Sequence, residues 1–157
     1  MRFFPILLIL TVIFLSTQTG CRKDPINDSP TAMLRFSEDT IVFDTVFTTV
    51  GSATRHFKVY NDGTKAVTIS SITLAGGSTS NFHLNIDGVP AVSTGDILLR
   101  GGDSMYVFVD VDVDPNNSTS PLMIEDSVQF VTNGNHQHVI LNAVGQDAYF
   151  YYNQYLN

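Results

Sequence analysis

A chain of 157 residues with 43% hydrophobic and 15% charged content holds enough apolar surface for one packed domain and is too apolar to be disordered. Its formal charge is −7, and the cations beyond the first segment, Arg35, Arg55, Lys58, Lys65 and Arg100, are scattered. A nucleic-acid surface needs clustered cations to displace counterions, so that class of partner is excluded, and the lone Cys21 excludes a disulfide framework.

The chain opens with Arg2, an apolar run from Phe3 to Leu15, and the short stretch Ser16 to Gly20 before Cys21. A spanning helix needs roughly 20 apolar residues, so this run has the layout of a secretory signal instead. The ending Thr19-Gly20-Cys21 resembles the bacterial lipobox. That resemblance implies cleavage between Gly20 and Cys21 and a lipid thioether, with further acylation of the palmitate kind, on Cys21. A free thiol in an exported protein has no intramolecular partner, and lipidation removes the oddity. Several acyl chains on one residue, at about 0.8 kcal/mol per buried CH₂, would hold the protein firmly on a membrane. The expected organisation is a signal peptide over 1–20, a lipidated tether over 21–31 with Pro25 and Pro30 in it, a β domain over 32–147, and an aromatic segment over 148–157.

From Leu34 onward, β-branched and aromatic runs alternate with turn clusters. Strands are expected at Thr40–Thr49, Thr54–Asn61, Ala66–Ala75, Phe82–Ile86, Ile97–Arg100, Ser104–Val113, Glu125–Thr132 and His136–Gly145. Short strands at this spacing predict an all-β fold, an immunoglobulin-like antiparallel β-sandwich of about 7–9 strands. Asn133-Gly134 is the preferred type I′ turn, which sets Thr132 opposite Asn135, Phe130 opposite Gln137 and Val128 opposite Val139. One face of that hairpin then gathers Val128, Phe130, Val139, Leu141 and Ala143, while Ser127, Gln129, His136, His138 and Asn142 face water with Val131 and Ile140. In Ser104–Val113, Met105, Val107, Val109, Val111 and Val113 share the inner face; Tyr106, Phe108, Asp110, Asp112 and Asp114 share the outer one. Asp62-Gly63 gives a poor two-residue register, so it is either a bulged hairpin or a crossing between sheets.

Leu34-Arg35-Phe36-Ser37, the run Asp39 to Ser52, and Phe57-Lys58-Val59-Tyr60-Asn61 resemble the opening of immunoglobulin-like domains of the ASPM/SPD-2/Hydin and major-sperm-protein kind. In particular they are similar to the N-terminal module of lipoproteins from Bacteroidetes-type bacteria, and Ser71–Gly77, Phe82–Gly88 and Val144–Ala148 continue the likeness. The resemblance implies an envelope protein, lipid-anchored and most naturally in the outer membrane, serving as a stalk or docking module for a protein or glycan partner. Longer members continue into a right-handed parallel β-helix. The alternative is therefore an accessory domain of a carbohydrate-binding or polysaccharide-processing protein, with Tyr149 to Leu156 as the start of a missing part or as a last strand covering the sandwich.

Candidate chemistry is sparse. Asp110, Asp112 and Asp114 share a face, but the outer two of such a set lie some 13 Å apart on a straight strand, too far for one ion. His136 and His138 point outward without a completing ligand, and His56 and His83 fall on the polar parity of their strands. With no nucleophile elbow and no free thiol after lipidation, neither catalysis nor a cofactor or metal is expected. The tripeptide Asp-(Ser/Thr)-apolar recurs at Thr40, Thr45, Ser104 and Ser127 and resembles an O-glycosylation signal of the same bacterial group, though turn chemistry equally favours Asp-Ser/Thr at a strand start. Tyr106 and Phe108, aromatic on a wet face, form a candidate binding face for a sugar ring or a neighbouring domain.

Overall fold

The computed structural model describes residues 24–47, 52–113 and 122–146. The signal segment, Cys21, Asp114 and the aromatic segment 148–157 lie outside the described residues. Eleven strands are described: β1 (Arg35–Phe36), β2 (Thr40–Phe47), β3 (Arg55–Tyr60), β4 (Val67–Leu74), β5 (Phe82–Ile86), β6 (Val89–Pro90), β7 (Ser93–Thr94), β8 (Ile97–Leu99), β9 (Ser104–Val111), β10 (Leu122–Thr132) and β11 (Asn135–Gln146). They form a five-stranded sheet, β1-β3-β9-β5-β6, and a six-stranded sheet, β2-β11-β10-β4-β7, with β8 also on β4. This is an immunoglobulin-like β-sandwich. Its strand number exceeds the expected 7–9 because β1, β6 and β7, two residues each, are too short to show an alternating pattern.

Parity decides what the sheets bury. Val107, Val109 and Val111 of β9 and Val128, Val139 and Leu141 of the last hairpin are all sealed from water. Between the sheets, Phe57 and Phe130 meet edge-on at 6.2 Å with Phe36 beside Phe130 at 4.9 Å, while Phe43 and Phe82 pack at 5.9 Å nearer the other end. The last hairpin has the predicted register, Thr132 with Asn135, Phe130 with Gln137, and Val128 with Val139. Asn133 and Gly134 both take positive φ, 49° and 82°, as that turn demands. β10 starts at Leu122, three residues earlier than expected, because β11 pairs with it as far as Gly145.

Asp62-Gly63 proves to be a crossing: β3 belongs to one sheet and β4 to the other. The crossing is held by Asn61, which is buried. Its amide nitrogen lies 2.9, 3.0 and 3.1 Å from the carbonyls of Lys65, Leu99 and Arg100, and its Oδ1 accepts from the Gly63 N–H at 3.0 Å. Its own backbone closes on Gly102 and Asp103. One side chain thus ties the β3–β4 crossing to the β8–β9 crossing, where Gly101 sits so tightly that a Cβ would lie 2.4 Å from the Thr64 carbonyl carbon.

The sandwich is not purely antiparallel, since β2 runs parallel to β11. The cause lies upstream. The polar stretch expected as a tether is, from Asp24 onward, fastened to the domain: Asp24 pairs with Arg100 at 2.9 Å, Ala66 donates to Pro25 at 3.0 Å, and Asn27 donates to Ala66 at 2.7 Å. Side-chain amides at every second position then carry it along the start of β11. Asn133 donates to the carbonyls of Asn27 and Ser29, Asn135 to those of Pro30 and Ala32, and Gln137 both donates to and accepts from the Leu34 backbone. The chain therefore enters β2 travelling in the direction of β11, and as the two strands are not consecutive no hairpin forces them antiparallel.

Asn61→Ala should cost about 2–3 kcal/mol in chemical denaturation, because buried partners lose their bonds. Asn61→Asp sets a carboxylate against three carbonyl oxygens, so its folded pKa lies above the unfolded value of about 3.9. Relative to wild type, its penalty should be smallest below that value and grow as pH rises toward neutrality. An equal penalty at pH 3.5 and pH 7 would show that Asn61 is not enclosed as described.

Candidate interaction surfaces

On the outer face of the five-stranded sheet, cross-strand pairing places Lys58 opposite Tyr106 and His56 opposite Phe108. Tyr106 and Phe108 are 38% and 37% exposed, on the side expected for them. They stand nearly parallel, 21° apart with centroids at 5.8 Å, and His56 packs against both at 5.5 and 5.8 Å. Lys58 Nζ lies 4.5 Å from the Tyr106 ring centre, a cation–π approach. The Lys58 ammonium is held above its ordinary pKa, chiefly by hydrogen bonding to Tyr106. Along the same face Arg35 lies 4.0 Å over Tyr60 and grips Asp62 with two nitrogens, Nη2 to Oδ1 at 2.8 Å. The Tyr106 and Phe108 rings contact one another, His56 and Lys58 while both remain exposed. Asn85, opposite Phe108, has its Oδ1 enclosed without a hydrogen-bond donor among the described residues.

A second surface lies on the outer face of the six-stranded sheet. Met123, Val144, Val42 and Ile140 are exposed, Met123 by 70% and Val42 by 58%. Met123 pairs with Val144, and Asn142, between Ile140 and Val144, pairs with Val42 and Glu125, so the four apolar residues gather on one face around Asn142 in a mixed patch. Sequence parity showed Ile140 on the wet face but missed the patch. Recognising it required the early start of β10, which brings Met123 outward, and the β2–β11 pairing, which brings in Val42.

The remaining candidates separate cleanly. His136 and His138 are exposed and, with Ser127, Gln129 and Gln137, line a shallow polar hollow of about 370 Å³. His83 Nδ1 lies 3.4 Å from Asp110 and 3.9 Å from Asp112. Among the described residues no group of three His, Cys, Asp or Glu side chains is placed to hold a metal ion. Of the Asp-Ser/Thr pairs, Asp103 accepts the Ser104 N–H at 2.8 Å, and Asp126 accepts that of Ser127 at 2.7 Å along with Gly76 N–H and the Ser80 hydroxyl. Turn and loop chemistry occupies both aspartates, and Ser104 and Ser127 are half-buried, as is Thr40; Thr45 alone of the four is fully exposed.

No protein-family model matches this chain, and no curated protein matches it in sequence. Among solved structures, a protein of unknown function from Porphyromonas gingivalis W83 is similar with a TM-score of 0.54 at 10% identity, over 82% of this chain and 51% of that one. The chain thus spans about half the length of that protein. The ASH/PapD-like domain 7 of human CEP192 gives 0.45 at 11% identity, over 84% of this chain and 96% of that domain. The E. coli chaperone DraB gives 0.45 at 8% identity, over 73% and 55%. At such identities the likeness is one of fold: the neighbours are immunoglobulin-like and PapD-like β-sandwich domains.

The Arg35 guanidinium holds the exposed Asp62 carboxyl below its ordinary pKa, first through the hydrogen bond and then through charge. Stability from this pair is therefore complete above the unfolded value and disappears as pH falls through the lower, folded value. Carboxyl NMR titration should find Asp62 below the usual aspartate range, and Arg35→Gln should return it there; identical titrations would exclude the pairing in solution.

Proposed function

We propose that this chain is a lipid-anchored, non-catalytic module of the bacterial cell envelope, a stalk that holds a protein partner or a further domain away from the membrane. The observation that carries this reading is the placement of the two chain directions at opposite poles of the sandwich. The N-terminal segment is fastened beside Ala66, Arg100 and Asn133, where β11 begins, whereas β11 leaves the opposite pole at Gln146. A strand of this length rises about 3.3 Å per residue, so the poles are roughly 36 Å apart. Anything joined after β11 is displaced by that height from whatever holds the N-terminus.

The anchor in this reading is a lipid on Cys21 after cleavage behind Gly20. The finer assignment, the N-terminal module of a Bacteroidetes-type lipoprotein at the outer membrane, is supported by the sequence resemblance and by a PapD-like fold. Partner contact falls to the group of Met123, Val144, Val42 and Ile140, exposed apolar side chains gathered on one sheet face. A glycan role through Tyr106 and Phe108 would have to share their rings with the Lys58 and His56 contacts. Thr45 is the position best exposed for O-glycosylation.

Wild-type protein should incorporate labelled palmitate and fractionate with membranes, while Cys21→Ala should do neither and appear in the soluble envelope fraction. Unchanged membrane partition of that variant would refute the anchor. Met123→Asp with Val42→Asp should leave the fold within about 1 kcal/mol of wild type, both being surface positions, while abolishing partner capture.

A further inference from the structure

We infer that the pole built from the segment 24–34 and the 61–66 and 100–103 loops is seated against lipid headgroups, so that the sandwich stands upright on the bilayer. This rests on the reading of Cys21 as the lipidated residue.

The argument is one of reach. Cys21 precedes Asp24 by three residues, and consecutive Cα atoms are 3.8 Å apart, so the Cys21 Cα that carries the lipid lies within about 11 Å of the Asp24 Cα. Asp24 is itself fixed by Arg100 and its successors by Ala66, at the distances given above. A leash this short, ending in a clamp, fixes which surface meets the membrane. The surface it selects suits that place. Ile26 is 45% exposed beside Lys65 and Arg100, whose side chains project into solvent. An exposed aliphatic residue among cations matches the boundary between headgroup and acyl chain. Of the acidic residues at this pole, Asp24 and Asp62 are paired with Arg100 and Arg35, while Asp28 and Asp103 are exposed.

The distal half carries the larger acidic excess. Asp44, Asp110, Asp112, Glu125 and Asp126 lie there, and Arg55, paired with Asp44, is the cation beside them. An anionic surface would repel that half more strongly than the proximal pole, so the difference in charge adds to the leash.

The pose is tested with full-length protein in vesicles of phosphatidylethanolamine and phosphatidylglycerol carrying a headgroup nitroxide. Thr64→Cys and Ser78→Cys, both exposed and at opposite poles about 25 Å apart along β4, each receive a thiol-reactive fluorophore. The Cys21 sulfur, tied up as a thioether, takes none. Quenching should be at least threefold stronger at position 64 than at 78, and inserting twelve Gly/Ser residues between Lys23 and Asp24 should shrink the difference to less than half. Co-flotation with equal quenching at the two positions would overturn the upright pose while sparing the anchor. Failure to float, with Cys21 itself taking label, would bring down both.

Discussion

The architecture turns on a buried amide. Asn61 sits where the chain leaves the five-stranded sheet for the six-stranded one, and its side chain is within hydrogen-bond distance of carbonyls from both crossings between sheets. Crossings are where a sandwich is weakest, since backbone groups there have left one ladder and not yet joined the next. An enclosed amide with two donors and an acceptor meets that need without a charge, which burial would penalise. The two sheets pack through apolar side chains, but Asn61 fixes how the connections between them run.

A similar device shapes the N-terminal approach. Asn133, Asn135 and Gln137 stand on alternate residues and answer backbone groups of 27–34 much as a neighbouring strand would. Because they are side chains, the segment can lie beside the hairpin without joining its ladder. The fastening commits the chain to a parallel β2 and leaves the end of β11 at the far pole. The sense of the first long strand and the separation of the two chain directions share this one cause.

The surface shows the difference between being on a face and being available on it. Tyr106 and Phe108 point outward as alternation requires, and their rings also contact each other, His56 and Lys58. Met123 and Val42 have no cation or ring against them, though Asn142, Glu125 and Thr45 share their face, and the enclosed Asn142 Oδ1 lacks a donor among the described residues. For a module that displays surfaces, the second is the better contact.

Alternation along β9 and the type I′ turn at Asn133-Gly134 were legible in the sequence by itself, because period-two burial and a two-residue turn are local: they need only the residues involved. From them follow the core residues, the register of the last hairpin and the sandwich class. The sheet to which each strand belongs, the parallel β2, the burial of Asn61 and the apolar patch were decided only in three dimensions. Each depends on contacts between residues far apart in the chain, such as Asn61 with Leu99 or Asn133 with Asn27, and hydrogen-bonding capacity read from a sequence does not say which distant partner will fill it.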